Sequence, residues 1–355
     1  MNSKNTKIGS RERVMYLDLL KAVSIIGVIF IHVSAVNWYT DKLYTPEWII
    51  HTIYNGLVQF SVPVFVMVSG ALFLARDIPV KTIYKKYMPR LIIAYLFWST
   101  VYALIKFCPV RNVNTFICEI IKGHYHLWFV PMIAVQYMLV PIYKRIVKNR
   151  RLAEYFIIIS LALFSVIPTI IGQIAICSKD YGEALQALYS KANLDVLFGY
   201  SLFFILGYIL NTAELSRKAE RIIYIIGAIG FISTPLLIIL NSRATGAAST
   251  FYGGNFRPNV IACAVSIFVF TKNHSGYLKS GTAFARVITK LSKYSFGVYL
   301  VHLVFLELLR YTYKITPETF GAALGVPLMV IIVYAASTLV TAIISKIPFI
   351  NKYIV

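Results

Sequence analysis

Apolar runs separated by short polar or basic stretches recur along the whole chain. They fall at 15–36, 48–74, 88–107, 127–143, 152–172, 194–210, 222–240, 257–271, 294–312 and 322–345. An α-helix rises 1.5 Å per residue, so about 20 apolar residues cross a hydrocarbon core about 30 Å thick. No water is available there to bond exposed N–H and C=O groups, so the runs must be helices. The pattern predicts an all-α, polytopic integral membrane protein, a single bundle of about ten transmembrane helices. The bundle is expected at 15–346, after a cytoplasmic N-terminal segment at 1–14 and before a cytoplasmic tail at 347–355.

Composition sharpens that picture. The 355 residues are 58% hydrophobic and 14% charged, whereas soluble domains are nearer a quarter charged. The net charge of +21 would ordinarily raise nucleic-acid binding. Here the basic residues sit in short clusters between apolar spans, as the positive-inside rule requires, and nucleic acid is excluded as a partner. With the N-terminus in the cytoplasm, most of the 35 Lys and Arg fall on that side. The expectation is therefore a multi-pass protein of the cell (inner, cytoplasmic) membrane, in contact with membrane lipid, with both termini cytoplasmic. The first apolar run lacks a small-residue cleavage site before its polar flank, so it reads as a retained helix.

Cys108, Cys118, Cys177 and Cys263 show no metal-ligand spacing, and no metal site is expected. Cys108 and Cys118 fall in one outer loop, and free thiols are the favoured reading. The larger outer loops, 173–193 and 241–256, read either as mobile surface or as part of an acceptor site.

Candidate chemistry is densest in the first helix, YLDLLKAVSIIGVIFIHVSA, where Asp18, Lys21 and His32 interrupt an apolar run. Ionisable groups are costly in lipid, so they are expected to face the bundle interior or a wet cavity. At about 100° per residue, the eleven-residue step from Lys21 to His32 is three turns plus about 20°, and the rise is roughly 16 Å. Both therefore share one face, with the cation near the inner interface and the imidazole deeper. Asp18 lies one turn from Lys21 and can orient it. Snorkelling is the competing reading for Lys21, and an interhelical hydrogen bond for His32.

The segment YLDLLKAVSIIGVIFIH resembles the first helix of membrane acyltransferase family 3, in which Asp-Leu-Leu-Arg is followed by an apolar stretch ending in Ile-His. Lys21 stands where the family usually has Arg, which keeps the charge but not the bidentate fork. The likeness continues through QFSVPVFVMVSGALFL (59–74), KTIYKKYMPRLIIAYLFWS (81–99), HYHLWFVPMIAVQYMLVP (124–141), FYGGNFRPNV (251–260) and SFGVYLVHLVFL (295–306). In the second of these, Lys85, Lys86 and Arg90 are expected to project to one side and hold the phosphates of a cytoplasmic acyl-CoA. Plain positive-inside charge is the competing reading. His126 and Trp128 would border an acceptor site, with an aromatic-belt anchor the alternative for Trp128. His302 sits mid-span and reads as a bridging histidine or a substrate contact.

The resemblance implies a bacterial-type membrane acyltransferase, nearest to stand-alone O-acetyltransferases of surface polysaccharide. Acetyl-CoA would be the donor substrate and no cofactor would be permanently bound. The acceptor would be a hydroxyl of a cell-envelope glycan or its lipid-linked precursor. His32 would be the catalytic residue, as general base or transient acyl acceptor. The rival reading is an exporter of a surface polysaccharide, or an amino-acid transport module, built on related helices.

Overall fold

A computed structural model describes residues 14–107, 112–191, 196–277, 281–348 and 350–354. Lys4, Lys7, Arg11 and Arg13 of the expected N-terminal segment, and Cys108, lie outside the described residues. Among those described there is no strand. Seven helices are long and apolar enough to cross a membrane. In chain order they are α1 (Met15–Ser34), a joined pair α2 (Pro46–Val58) and α3 (Ser61–Leu74), α4 (Val80–Lys106), α8 (Arg150–Cys177), α11 (Arg217–Thr245), α13 (Ala283–Thr312) and α14 (Ala322–Ile344). Between α4 and α8 lie the short α5 (Val113–Lys122) and a bent pair, α6 (Tyr125–Met138) and α7 (Val140–Lys148). The remaining helices are α9 (Lys179–Ser190), α10 (Val196–Thr212) and α12 (Pro258–Asn273).

Each of the ten expected spans thus meets a helix, but not every one of these helices is by itself long enough to meet the length of a full crossing. The run at 127–143 belongs to the bent pair, whose halves meet at 56°. Pro141 stands just inside α7, and a proline both removes an amide donor and clashes with the preceding turn. The runs at 194–210 and 257–271 become helices of only 17 and 16 residues. The α2–α3 break falls at Gln59–Phe60. Gln59 is four residues before Pro63, the carbonyl that a proline ring displaces.

Burial divides the helices into an inner and an outer set. α1 packs against α2, α3, α12, α13 and α14, and Leu17, Leu20, Ile25, Ile29 and Val33 are all closed off from solvent. The outer helices α8, α11 and α14 keep apolar residues outward, with Ile158 67%, Ile232 71% and Leu324 73% exposed. In water such faces would be a liability. Around a membrane bundle they are the lipid contact, and packing between helices then relies on close fit instead of water exclusion.

That fit is tightest where α3 meets α10. Gly70 faces the backbone of Phe204, and Gly207 faces the backbone of Met67. A Cβ on Gly70 would sit 2.6 Å from the Phe204 carbonyl carbon, and one on Gly207 would sit 2.5 Å from that of Met67. Ordinary carbon contacts are about 3.5–4.0 Å, so only glycine allows this approach.

Candidate active site

Three cavities follow one another through the bundle. The first, about 360 Å³, lies beside the N-terminal half of α1. Its basic wall is Lys21, Arg76, Arg90 and Lys293, and its other walls include Ser69, Tyr87, Tyr137 and the rings of Phe65, Phe129 and Phe296. The same three phenylalanines form part of a narrow neck of about 40 Å³, with His32, His126, Trp128 and Tyr299. A far cavity of about 770 Å³ lies beyond, lined by Tyr102, Lys106, Glu119, His124, Tyr125, Glu307 and Tyr311 among others.

Helical periodicity explains the succession. On α1, Lys21 lines the basic cavity and Ile25, Val28 and His32 line the neck. These positions fall at steps of three or four residues, hence on one face. On α13, Ser292, Lys293, Ser295 and Phe296 line the basic cavity, Phe296 and Tyr299 the neck, and Val304, Glu307, Leu308, Tyr311 and Thr312 the far cavity. The start of α6 runs alongside, from His124 and Tyr125 at the far cavity to Tyr137 at the basic one.

At the basic end, Asp18 is buried and accepts a hydrogen bond from Ser292 Oγ at 2.6 Å, which ties α1 to α13. The Arg90 guanidinium lies 5.3 Å from the centre of the Phe296 ring, within cation–π range. Lys85 and Lys86 are exposed and do not line the cavity. A π turn at Ile83–Tyr87 inserts an extra residue into this part of α4 and breaks the alignment with Arg90 that an unbroken α-helix would give. Arg76 and Lys293 take their places in the basic wall.

The neck and its surroundings hold four imidazoles. The His32 ring centre is 5.1 Å from that of His302, 6.5 Å from His126 and 5.7 Å from Tyr125. His302 Nδ1 lies 2.6 Å from the Tyr299 carbonyl oxygen, to which it donates. The Tyr299 hydroxyl donates to the His126 carbonyl. His126 Nδ1 and His124 Nδ1 are 2.8 Å apart, and His124 Nε2 is 2.9 Å from Glu307 Oε1. Tyr102 stacks on His124 with ring centres 4.4 Å apart. Trp128 is half open on its outer side and meets Tyr200 at 5.5 Å. In the far cavity Lys106 pairs with Glu119 at 3.1 Å and holds its carboxyl below the usual carboxylate range.

A second cluster lies away from these cavities. The fully buried His51 places Nδ1 3.2 Å from Asp41 Oδ2 and Nε2 3.3 Å from Glu318 Oε1. Asn37 donates to the other Glu318 oxygen at 2.7 Å. Among the described residues this is the group whose histidine and carboxylate atoms come close enough to share a cation, within 4.8 Å of one another. Its two imidazole nitrogens face different carboxylates, the arrangement of a clamp joining the α1–α2 and α13–α14 connections. Burial, with the Glu318 charge second, raises the Asp41 carboxyl above its ordinary range.

Of the sequence-predicted residues, Lys21, His32, Arg90, His126 and Trp128 line the basic cavity or the neck, while Asp18 and His302 are buried nearby, bonded to Ser292 and to the Tyr299 carbonyl. Lys85 and Lys86 line neither. His124, Glu307, Arg76 and Lys293 join them, and Glu307 carried the same signal as His302, an ionisable residue in an apolar stretch.

A multi-pass helical bundle thus holds basic, imidazole and carboxylate groups in order along α13, a candidate site for group transfer. The chain matches the acyltransferase domain of acyltransferase family 3 over residues 14–346 and belongs to that family; it is a membrane acyltransferase. No curated protein and no solved structure matches it.

Proposed function

We propose that the protein moves an acetyl group from cytoplasmic acetyl-CoA to a hydroxyl of a cell-envelope glycan or its lipid-linked precursor, with His32 carrying the group between them. The observation behind this reading is the order of the cavities. A basic cavity and a neck holding His32 follow one another along α1, and α13 runs past both to a large cavity whose lining includes His124, Glu119 and Glu307.

With the basic end toward the cytoplasm of the inner membrane, Lys21, Arg76, Arg90 and Lys293 face the donor. Arg90 offers the planar fork that suits phosphate, and the lysines add point charge. The thioester then reaches the neck between Phe65, Phe129 and Phe296. The neck, about 40 Å³, is the smallest of the three spaces, which favours two successive displacements over one direct transfer. In the first, a neutral His32 nitrogen attacks the thioester carbon. The C–S bond breaks, the C–N bond forms, and CoA thiolate leaves toward the basic wall. In the second, the acceptor oxygen attacks the same carbon, and His32 leaves with the proton it kept on its other nitrogen.

The far cavity is wide enough for a sugar, and its Tyr102, Tyr125 and Tyr311 rings and Glu119 and Glu307 carboxylates offer stacking and hydroxyl-binding groups. The test is transfer of labelled acetyl from acetyl-CoA to an envelope extract by the purified protein. His32→Ala and His32→Gln should both abolish transfer while leaving the folded bundle intact. Transfer by His32→Gln near the parent rate would show that His32 only bridges helices.

A further inference from the structure

We propose that Glu307, His124 and His126 form a proton relay, with His126 as the base that deprotonates the acceptor hydroxyl and the other two positioning it. The proposal rests on the two-step reading above and assigns the second step.

Hydrogen-bond polarity fixes the direction. A Glu307 carboxylate has no proton to give, so His124 Nε2 must donate across the 2.9 Å separation. A neutral imidazole has one N–H, so His124 Nδ1 is an acceptor. The Nδ1 of His126, 2.8 Å away, must then be the donor. That leaves the lone pair of His126 on Nε2, an atom that is buried without a hydrogen-bond partner. His126 lines the neck beside His32, whereas His124 and Glu307 line the far cavity. The pair of rings is thus the wall between the two spaces, and a chain of hydrogen bonds crosses it.

Such a wall can carry a proton to the far cavity from an acceptor hydroxyl that has entered the neck. As the acceptor oxygen attacks the acyl carbon on His32, its hydroxyl proton passes to His126 Nε2. The Nδ1 proton of His126 moves to His124 Nδ1, and the Nε2 proton of His124 moves to Glu307. The C–O bond forms, the C–N bond to His32 breaks, and the proton ends on a carboxyl that opens to the far cavity. Tyr102 holds the wall in register, stacked on His124 and meeting the His126 ring edge-on at 5.0 Å. The Tyr299 hydroxyl, bonded to the His126 carbonyl, fixes the backbone beneath it.

The relay predicts a split between half-reactions. Exchange of label between acetyl-CoA and free CoA needs only the first step, and transfer to an envelope extract needs both. In Glu307→Gln the exchange should persist, whereas transfer should fall about 10²-fold or more, the range of a lost general base; His126→Gln, which alters the neck itself, should lose transfer at least as far. Removing the carboxylate charge also makes the imidazoles less basic. The acid limb of the pH–rate profile for transfer should therefore move to lower pH by about one unit in Glu307→Gln. Glu307→Asp should recover part of the loss.

Three outcomes overturn the relay: transfer unchanged in Glu307→Gln, exchange and transfer lost together in folded Glu307→Gln, or a lowered rate with an unmoved pH profile. Exchange that persists in His32→Ala would instead refute the two-step reading itself.

Discussion

Substituting Gly70 by alanine tests the packing on which the internal path depends. The added carbon would lie 2.6 Å from the Phe204 carbonyl carbon and closer still to its oxygen. Both are backbone atoms of a helix and cannot rotate away. Restoring an ordinary separation of about 3.5–4.0 Å requires α3 and α10 to part by roughly 1 Å. A gap of that size forfeits a quarter to a half of each dispersion contact across the interface. The contacts at stake involve Val64, Met67, Val68, Phe203 and Phe204, all fully buried. Overpacking of this kind costs about 1–3 kcal/mol. Because apolar association gains little in lipid, close packing carries much of the interface stability. The same helix carries Phe65 and Ser69 into the basic cavity, so donor affinity should weaken as well. Unfolding of purified protein by a denaturing detergent would measure the loss. Gly207→Ala should behave alike, and the double variant should cost less than the sum, because one separation relieves both clashes. An unchanged midpoint for Gly70→Ala, or strict additivity in the double variant, would refute the reasoning.

Two further predictions follow from the charged groups. Arg90→Ala should weaken acetyl-CoA binding by about tenfold or more, the scale of one lost charge-assisted contact, whereas Lys21→Arg should preserve it. Equilibrium binding of labelled acetyl-CoA checks both, and unchanged affinity in Arg90→Ala and Lys21→Ala would remove the donor site. The Asp41 carboxyl is raised by burial and Glu318, opposed by His51, with Glu47 adding to the rise. A raised acid contributes stability below its ordinary value that is lost as pH climbs through its folded value. Asp41→Asn should therefore gain on the parent as pH rises through that window, and detergent-unfolding midpoints taken across acidic pH would show it. A difference that does not vary with pH would contradict the assignment.

Much of this architecture was legible before any coordinates. Apolar run length and the clustering of basic residues fixed the class of fold, and 3.6-residue periodicity placed Lys21 and His32 on one face. His126 and His302 stood out because imidazoles are rare in such spans. What the sequence concealed depends on geometry between distant segments. The hydrogen bond from His124 to Glu307 joins residues far apart in the chain, and no local pattern announces it. Arg76 and Lys293 looked like ordinary loop charge, since the positive-inside rule and a phosphate site demand the same residue types. Lys85 and Lys86, expected to project with Arg90, are exposed and outside the basic cavity, because the π turn at Ile83–Tyr87 breaks α-helical register. Among the described residues, the shorter α10 and α12 and the bend at Pro141 leave seven helices that are each long and apolar enough to cross a membrane, or eight with the bent pair.

The central claim is that His32 carries the acyl group between two cavities. Mixing purified protein with acetyl-CoA in the absence of acceptor, quenching within one turnover and mapping peptides by mass spectrometry tests it directly. One added acetyl group should appear on His32, be absent from His32→Gln, and disappear when envelope extract is supplied. Acetyl transfer that proceeds at full rate while the His32 peptide never gains that mass would contradict it.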